Sequence, residues 1–377
     1  MKLLAKTFEG LESTLAEEIK SLGGTNIQKL TRAVLYEGDE KLMYQSNYLL
    51  STALRILEVK KEFEANDAED LYWKLFRIPW HELIAVTDTF AIDATTSGEV
   101  FTHSKFTALK SKDAIVDKIR KEKGSRPNVN VLTPTYRINI HVRDTTVTLS
   151  MDTSGDSLHM RGYRITSVDA PLNEVMAAGL IKLSKWDMKS PFVDPMCGSG
   201  TLLVEAHRLA TNTPPQDPDR VFGFKRWRKF NKELWQEVVD EHQTRPLHPK
   251  ADIIGSDKNL RAVRVTEQNL EEAQVDDQVS VHKENFFKYA PLSGATIITN
   301  PPYDVRLREN DIHAFYANIG DKLKQDCHDC DAWVFSANID ALKNVGLKPS
   351  QKISLMNGGM EAKFYKYEIY EGSKKDN

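Results

Sequence analysis

The sequence predicts an α/β protein in which a mainly parallel, doubly wound sheet follows smaller α+β modules. Three observations carry this. From about residue 165 onward, apolar strands alternate with amphipathic helices, as right-handed βαβ units require. Two of those strands end in an acid or amide beside a glycine or proline turn, VDPMCGSGT at 193–201 and TNPPY at 299–303. Ahead of them, YRINIHVRDTTVTLSMD at 136–152 alternates apolar and polar residues on both sides of RDTT, as an antiparallel hairpin does.

In chain order, LLAKTF reads as a strand, GLESTLAEEIKSLGG as an amphipathic helix closed by Gly23 and Gly24, and IQKLTRAVLYEG as a single strand. DLYWKLFRIPWHEL is helical until Pro79, and TFAIDATTSG alternates as a strand. SKDAIVDKIRKEKGS is a helix with Ser111 as N-cap and Gly124 as its stop. After the hairpin the pattern changes between residues 155 and 168. PLNEVMAAGLIKLSKW is a helix, PFVDPM a strand and GTLLVEAHRLATN a helix, followed by a polar, Pro-rich, basic stretch to Lys250. ADIIGSD, VSVHKEN, ATIITN and AWVFSANI are strands, with helices LRAVRVTEQNLEEAQ and HAFYANIGDKLKQDC between them, and ISLMNGG with KFYKYEIY closes the sheet.

The chain has 377 residues, 40% hydrophobic and 28% charged, enough for two or three domains. It holds no apolar run of the roughly 20 residues that span a bilayer. The start, MKLLAKTFEGLE, turns acidic before a signal-peptide core can form. Three cysteines make no disulfide framework, which places the protein in a reducing cytoplasm. The net charge of −3 hides an uneven distribution. Residues 1–100 carry 11 basic and 17 acidic side chains, residues 101–165 carry 12 and 6, and RVFGFKRWRKFNK at 220–232 has six basic residues and no acid. Such patches set encounter with polyanions, although either alone could be a solvated face.

Four strand ends carry the chemistry. Asp194 ends a buried strand, and Gly198 and Gly200 permit a tight turn into a helix. Ligands bind at such carboxyl ends. No lysine follows the glycines and no GxGxxG is present, so a phosphate loop fits poorly, whereas an acid there suits a ligand with an ammonium group. Asp257 in IIGSDKN can accept both hydroxyls of a ribose, or can simply cap the next helix. Asn285 and Phe286 in VHKENFF can read and pack on an adenine. In NPPY, the neutral oxygen of Asn300 can accept one N–H of a nucleobase amine. A carbonyl of the rigid Asn-Pro-Pro backbone can accept the other, and Tyr303 can stack the base. A lone N-P-P is also a strand terminator. Cys327-His-Asp-Cys330 has CxxC spacing, but Cys197 is the only other cysteine, so no four-cysteine site exists and no metal is expected. Cys197 beside the Gly loop is not needed as a nucleophile for methyl transfer to an amine.

DPMCGSGT, GSD and NPPY together resemble class I S-adenosylmethionine-dependent methyltransferases that act on an exocyclic amine. With DTSGDSLHMRGYR and APLNEVMAAGLI, the chain resembles the bacterial 23S ribosomal RNA guanine-N2 methyltransferase family, whose members carry a THUMP RNA-binding domain and are often labelled adenine DNA methylases. The likeness runs over nearly the whole chain. It implies a Rossmann-like methyltransferase sheet at 161–377, a ferredoxin-like α/β module at 1–60 and a THUMP domain at 61–160. It implies that Asp194, Pro195, Gly198, Gly200 and Thr201 hold the methionine portion of the cofactor, Asp257 its ribose, and Asn285 with Phe286 its adenine. Asn173 would help to close the site. Asn300, Pro301, Pro302 and Tyr303 would hold the target amine. Asn285 stands where class I enzymes commonly have an acid. The chain stops at Asn377, short of a second methyltransferase half found in some relatives, so one modification is expected. RNA backbone is expected on the two basic segments, through Lys105, Lys110, Lys112, Arg226 and Arg228. His159 and Arg161 of LHMRGYR would either touch RNA or pin the linker, and Arg164 beside them is expected on RNA. The rival readings are a transfer RNA guanine or DNA adenine methyltransferase, and a non-catalytic RNA-binding or assembly protein on the same fold.

Overall fold

The computed structural model describes residues 1–242, 248–288, 293–302 and 309–369, with two sheets among them. The first is built from β1 (Lys2–Lys6), β2 (Thr25–Leu30), β3 (Ala33–Glu37), β4 (Arg55–Glu64), β5 (Thr89–Ser97), β6 (Asn128–Val129), β7 (Tyr136–Arg143) and β8 (Thr146–Asp152). Their spatial order is β2-β3-β1-β4-β8-β7-β5-β6. The expected hairpin is β7–β8, with Ile138 opposite Met151 and Val142 opposite Val147.

Several local expectations change. IQKLTRAVLYEG is a hairpin rather than one strand, because Arg32 adopts a positive φ of 59° and turns β2 back onto β3. Ser111 does not start a helix. The helix runs Ser104–Lys123, and Ser111 is buried within it, donating to the Thr107 carbonyl at 2.8 Å. Gly124 closes it in the left-handed conformation (φ 75°). Pro79 does interrupt the preceding helix, which ends at Phe76 and gives way to a short turn of helix, Trp80–Leu83. The expected boundary at residue 60 falls inside β4, at a bulge between Val59 and Lys61. Arg55–Val59 of β4 pair with β1 and Leu57–Glu64 pair with β8, so the two N-terminal modules share a strand.

The second sheet holds β9 (Phe192–Asp194), β10 (Ile253–Asp257), β11 (Ser280–Lys283), β12 (Thr296–Thr299), β13 (Asp331–Ser336), β14 (Gln351–Asn357) and β15 (Met360–Glu368). The order is β11-β10-β9-β12-β13-β15-β14, parallel from β11 to β13 and antiparallel for the last hairpin. Neighbouring residues on these strands enter opposite cores. Phe192, Ile298 and Trp333 join one cluster, and Val193, Ile297 and Val334 the other. Strands buried on both faces explain their continuous apolar runs.

The basic stretch after Ala210 is not a solvated arm. It carries a helix, Lys232–His242, and buries Phe222, Phe224, Trp235 and Val238 in the core of the first module. Tyr44 and Phe224 pack at a tilt with centroids 4.5 Å apart, and Trp227 lies over Tyr136 of the hairpin at 6.1 Å. Lys41 bridges to Glu237 and Glu241 at 2.7 Å each. No helix among the described residues is long and apolar enough to cross a membrane.

Candidate active site

The parallel order puts the carboxyl ends of β10, β9, β12 and β13 side by side, and a cleft of about 900 Å³ opens across them. Asp194, Pro195, Gly198, Thr201, Asp257, Asn285, Phe286, Asn300, Pro301 and Pro302 all line it. Tyr303 lies outside the described residues.

Asp194 is 2% exposed. Burial pushes its carboxyl up to about 7, against the Met196 N–H it accepts at 3.2 Å, and the charge of Asp257 adds to the rise. Asp257 is half-buried and accepts from the Asn259 N–H at 2.8 Å and the Gly198 N–H at 3.3 Å. The next helix is capped by Asn259, whose side chain accepts from Arg261 N, so the capping role is filled by another residue. Gly198 adopts φ 58°, and a Cβ there would have only Val168 nearby, at 3.5 Å, so the loop leaves its concave side clear. A buried acid that wants a counter-cation, a half-exposed acid beside it, an amide and a buried phenyl ring suit an adenosine ligand bearing an ammonium group.

One contrast organises the four strand ends. Asp194, Asp257 and Asn285 each accept the backbone N–H two residues on, from Met196 at 3.2 Å, Asn259 at 2.8 Å and Phe287 at 3.1 Å. Asn300 has Pro302 at that position, and proline has no N–H. Its Oδ1 is buried and has no hydrogen-bond partner among the described residues. A buried acceptor kept open in this way is costly unless a ligand donates to it.

Several residues expected at the cofactor or at RNA have protein partners in the structure. Asn173 does not line the cleft; its Oδ1 caps the helix Glu174–Ser184 by accepting from Val175 and Met176 N. Gly200 turns away as well: a Cβ there would strike Thr266 Cγ2 at 2.7 Å, so this glycine (φ 76°) allows helix-on-helix approach rather than ligand approach. Arg161 is 4% exposed, donates to the Leu158 and Ser51 carbonyls at 2.6 Å and pairs with buried Glu205 at 3.5 Å. It therefore pins the linker. Arg164 does likewise, donating to the Leu172 carbonyl and Thr201 Oγ1 at 2.6 and 2.7 Å. Arg226 donates to the Pro134 carbonyl, and Arg228, its side chain still 55% exposed, pairs with Asp88 at 3.2 Å, so both help to hold the insertion against the β5–β8 module. Lys110 bridges Glu69, and Lys112 pairs with Asp113 at 2.8 Å, whereas Lys105 is exposed.

Sequence reasoning missed two parts of the cleft. Residues 168–172 cross it as a strap, held where Val168 N donates to Ser199 Oγ at 3.0 Å. Fully buried Asn269 accepts from Ile165 N and donates to the Thr166 and Ser199 carbonyls. A lone amide on the buried face of an amphipathic helix was the signal for it. The other part is the far wall, Phe315, Asn338, Ile339, Asp340 and Met360. SANID, a fifth strand end with an amide and an acid, was its signal. Cys197 is buried, its thiol pushed up by burial and the Asp194 charge, and Cys327 and Cys330 are buried too. Among the described residues no cluster of His, Cys, Asp and Glu could hold a metal.

Parallel strands in this order, with a cleft at their carboxyl ends and an α+β region ahead, define a Rossmann-like methyltransferase fold with an added N-terminal α+β region. SMU.472, solved in complex with SAH, superposes with a TM-score of 0.89 at 26% identity over 99% of each chain. A Clostridium difficile 630 protein gives 0.88 at 28% over the same share. Residues 161–366 match the RMKL-like methyltransferase domain, 65–152 the THUMP domain and 2–57 the RlmL ferredoxin-like domain, and the chain belongs to the RMKL-like methyltransferase family. The ribosomal RNA large subunit methyltransferase K/L of Syntrophotalea carbinolica is 32% identical over 98% of the chain. The chain spans about half the length of that relative, 54%. A Synechocystis protein with a provisional RNA-methyltransferase name, slr0064, is 33% identical over 97% of the chain and 96% of its own length.

Proposed function

We propose that this protein transfers a methyl group from S-adenosylmethionine to N2 of a guanine in RNA, with 23S ribosomal RNA as the substrate. The cofactor supplies an electrophilic methyl on a sulfonium. The chain supplies position. Asp194, partly protonated when the cleft is empty, takes the ammonium group of the methionine portion. Asp257 accepts from the ribose hydroxyls, Asn285 and Phe286 face the adenine, and Gly198 and Thr201 shape the loop between them. The observation that carries the reading is the buried oxygen of Asn300, which has no partner among the described residues. It sits in the same cleft as Asp194 and Asp257, on the neighbouring strand of β9. It accepts one amine N–H, the Asn-Pro-Pro backbone accepts the second, and Tyr303 stacks the base. The amine lone pair is then held toward the methyl. The amine loses its surplus proton only after it has become cationic, so no strong base is required. A paired base inside a helix is out of reach, so the target is unpaired or flipped out.

The large-subunit ribosomal RNA named for relatives of about twice this length, together with the THUMP match, supports RNA as substrate. The test is methylation of ribosomal RNA, transfer RNA and DNA with labelled cofactor, followed by mass spectrometry of the product nucleoside. N2-methylguanosine from 23S RNA is expected. Methyl-adenine from DNA, or a label confined to transfer RNA, would overturn the assignment.

A further inference from the structure

The cleft extends past the Asn300 clamp onto a strand to which the reading above gives no task. In the sheet order β10-β9-β12-β13, the cofactor-side acids stand on β10 and β9 and the amine clamp on β12. β13 pairs with β12 on the side away from both acids, with Thr299 opposite Val334. A base whose amine is held at Asn300 and directed toward β9 therefore extends its ring over the carboxyl end of β13. The residues there that line the cleft include Asn338 and Asp340.

Their chemistry is oriented. Asn338 Oδ1 accepts from Ala341 N at 2.9 Å, which fixes the amide so that its NH₂ faces away from that bond. This NH₂ has no protein partner among the described residues, so Asn338 offers a donor. One carboxylate oxygen of Asp340 is 2.7 Å from Lys343 Nζ, and that ammonium holds its carboxyl below the usual range. Asp340 therefore offers an acceptor at neutral pH. The two nucleobases with exocyclic amines in question differ at this point. The C2 amine of guanine lies between N1–H, a donor, and N3, an acceptor. The C6 amine of adenine is flanked by N1 and N7, both acceptors. One donor and one acceptor complement the first pattern, and a carboxylate facing a ring lone pair repels the second.

We infer that Asn338 and Asp340 read the target base on either side of its amine, Asn338 donating to guanine N3 and Asp340 accepting from guanine N1–H, so that β13 selects guanine over adenine. This rests on the guanine-N2 reading. It makes Asp340 a specificity residue whose loss alters which base is accepted, while the cofactor half of the cleft is left as it is.

The experiment uses the full chain and a synthetic RNA spanning the mapped target, carrying there either guanine or 2,6-diaminopurine. The analogue keeps the C2 amine and N3 but replaces N1–H with a lone pair. Wild-type protein should methylate guanine roughly 3- to 10-fold faster in single turnover, the net scale of one hydrogen bond to a carboxylate that is itself 78% exposed. Asp340→Asn, whose amide can donate to N1, should erase or reverse that preference while binding SAH as wild type does. Asn338→Ala should slow both substrates equally. An Asp340→Asn variant with unchanged preference, or one that loses SAH affinity, would overturn the base-reading assignment. A methyl group found on a base other than guanine would instead overturn the reading on which it rests, so the two failures are distinguishable.

Discussion

At Asp194 the demands of folding and of binding oppose one another. Burial pushes the carboxyl from its ordinary 3.8 up to about 7, so the folded protein holds a proton that the unfolded chain releases. Stability from this group is therefore greatest below pH 4 and is lost as pH rises through about 7. Asp194→Asn should stabilise the fold at pH 8 by on the order of a few kcal/mol at most, read as a higher melting temperature, with the gain vanishing near pH 4. The same change should abolish SAH binding in calorimetry, because the ammonium group loses its counter-charge. In the wild type, SAH affinity should fall about tenfold per pH unit below 7, where the proton must leave first. Asn300 makes the complementary point. Pro302→Ala would restore the N–H that the other three strand ends use, and that N–H would capture Asn300 Oδ1. Methyl transfer should fall roughly tenfold, the scale of one competing hydrogen bond, although Asn300 itself is intact and SAH affinity is unchanged. Wild-type rates in Pro302→Ala would mean that the second proline only ends the strand.

At the scale of elements, the loop between β9 and the helix Thr201–Ala210 assigns different tasks to its two glycines. Gly200 permits Thr266 to approach within 2.7 Å of where a Cβ would stand, and Thr266 also donates to the Gly198 carbonyl at 3.0 Å. Gly200→Val should therefore destabilise the fold by about 1–3 kcal/mol through overpacking, read as a lower denaturant midpoint. Gly198→Val has open space around it but places a side chain in the cleft in a left-handed backbone, so it should weaken SAH binding more than it lowers stability. Equal losses of stability and affinity in both variants would erase this division. The strap at 168–172 belongs to the same scale, since Asn269 holds Ile165 and Thr166 just ahead of it on the helix Leu260–Glu272 and thereby sets one wall of the cleft.

Across the whole molecule, the linker motif LHMRGYR acts as a bolt. Arg161 reaches the Ser51 carbonyl of the first module and pairs with Glu205 on the helix that follows the glycine loop. Tyr163 donates to the same carboxylate at 3.1 Å. Both members of the ion pair are inaccessible to solvent, with side chains 0% and 1% exposed. Arg161→Ala should cost about 3–5 kcal/mol, because it leaves a buried charge unpaired. Pairing it with Glu205→Leu should recover part of that loss, measured by equilibrium denaturation. Additive losses in the double variant would show that the two side chains are not coupled. The insertion after Ala210 is the second fastener, since its aromatic residues complete the core of the first module while Trp227 and Arg228 lie against the THUMP hairpin.

The parallel sheet and most of its cleft were legible in the sequence because each strand end combined a buried apolar run with an acid, an amide, a glycine or a proline. Those are local signals, read within about ten residues. Strand β4 was not legible, since RILEVKKEFE is buried at one end and open at the other, and its pattern makes sense only with β1 and β8 on either side. Arg161 and Arg228 show the same limit for charge. A run of basic residues reads as a surface patch until the carbonyls and acids that engage it arrive from more than 100 residues away, Ser51 for Arg161 and Asp88 for Arg228. The sequence by itself determined which residues could meet at the ends of parallel strands. Only the tertiary structure decided which of them face the cleft, because a side chain's partner is set by the surface packed against it, and that surface comes from elsewhere in the chain.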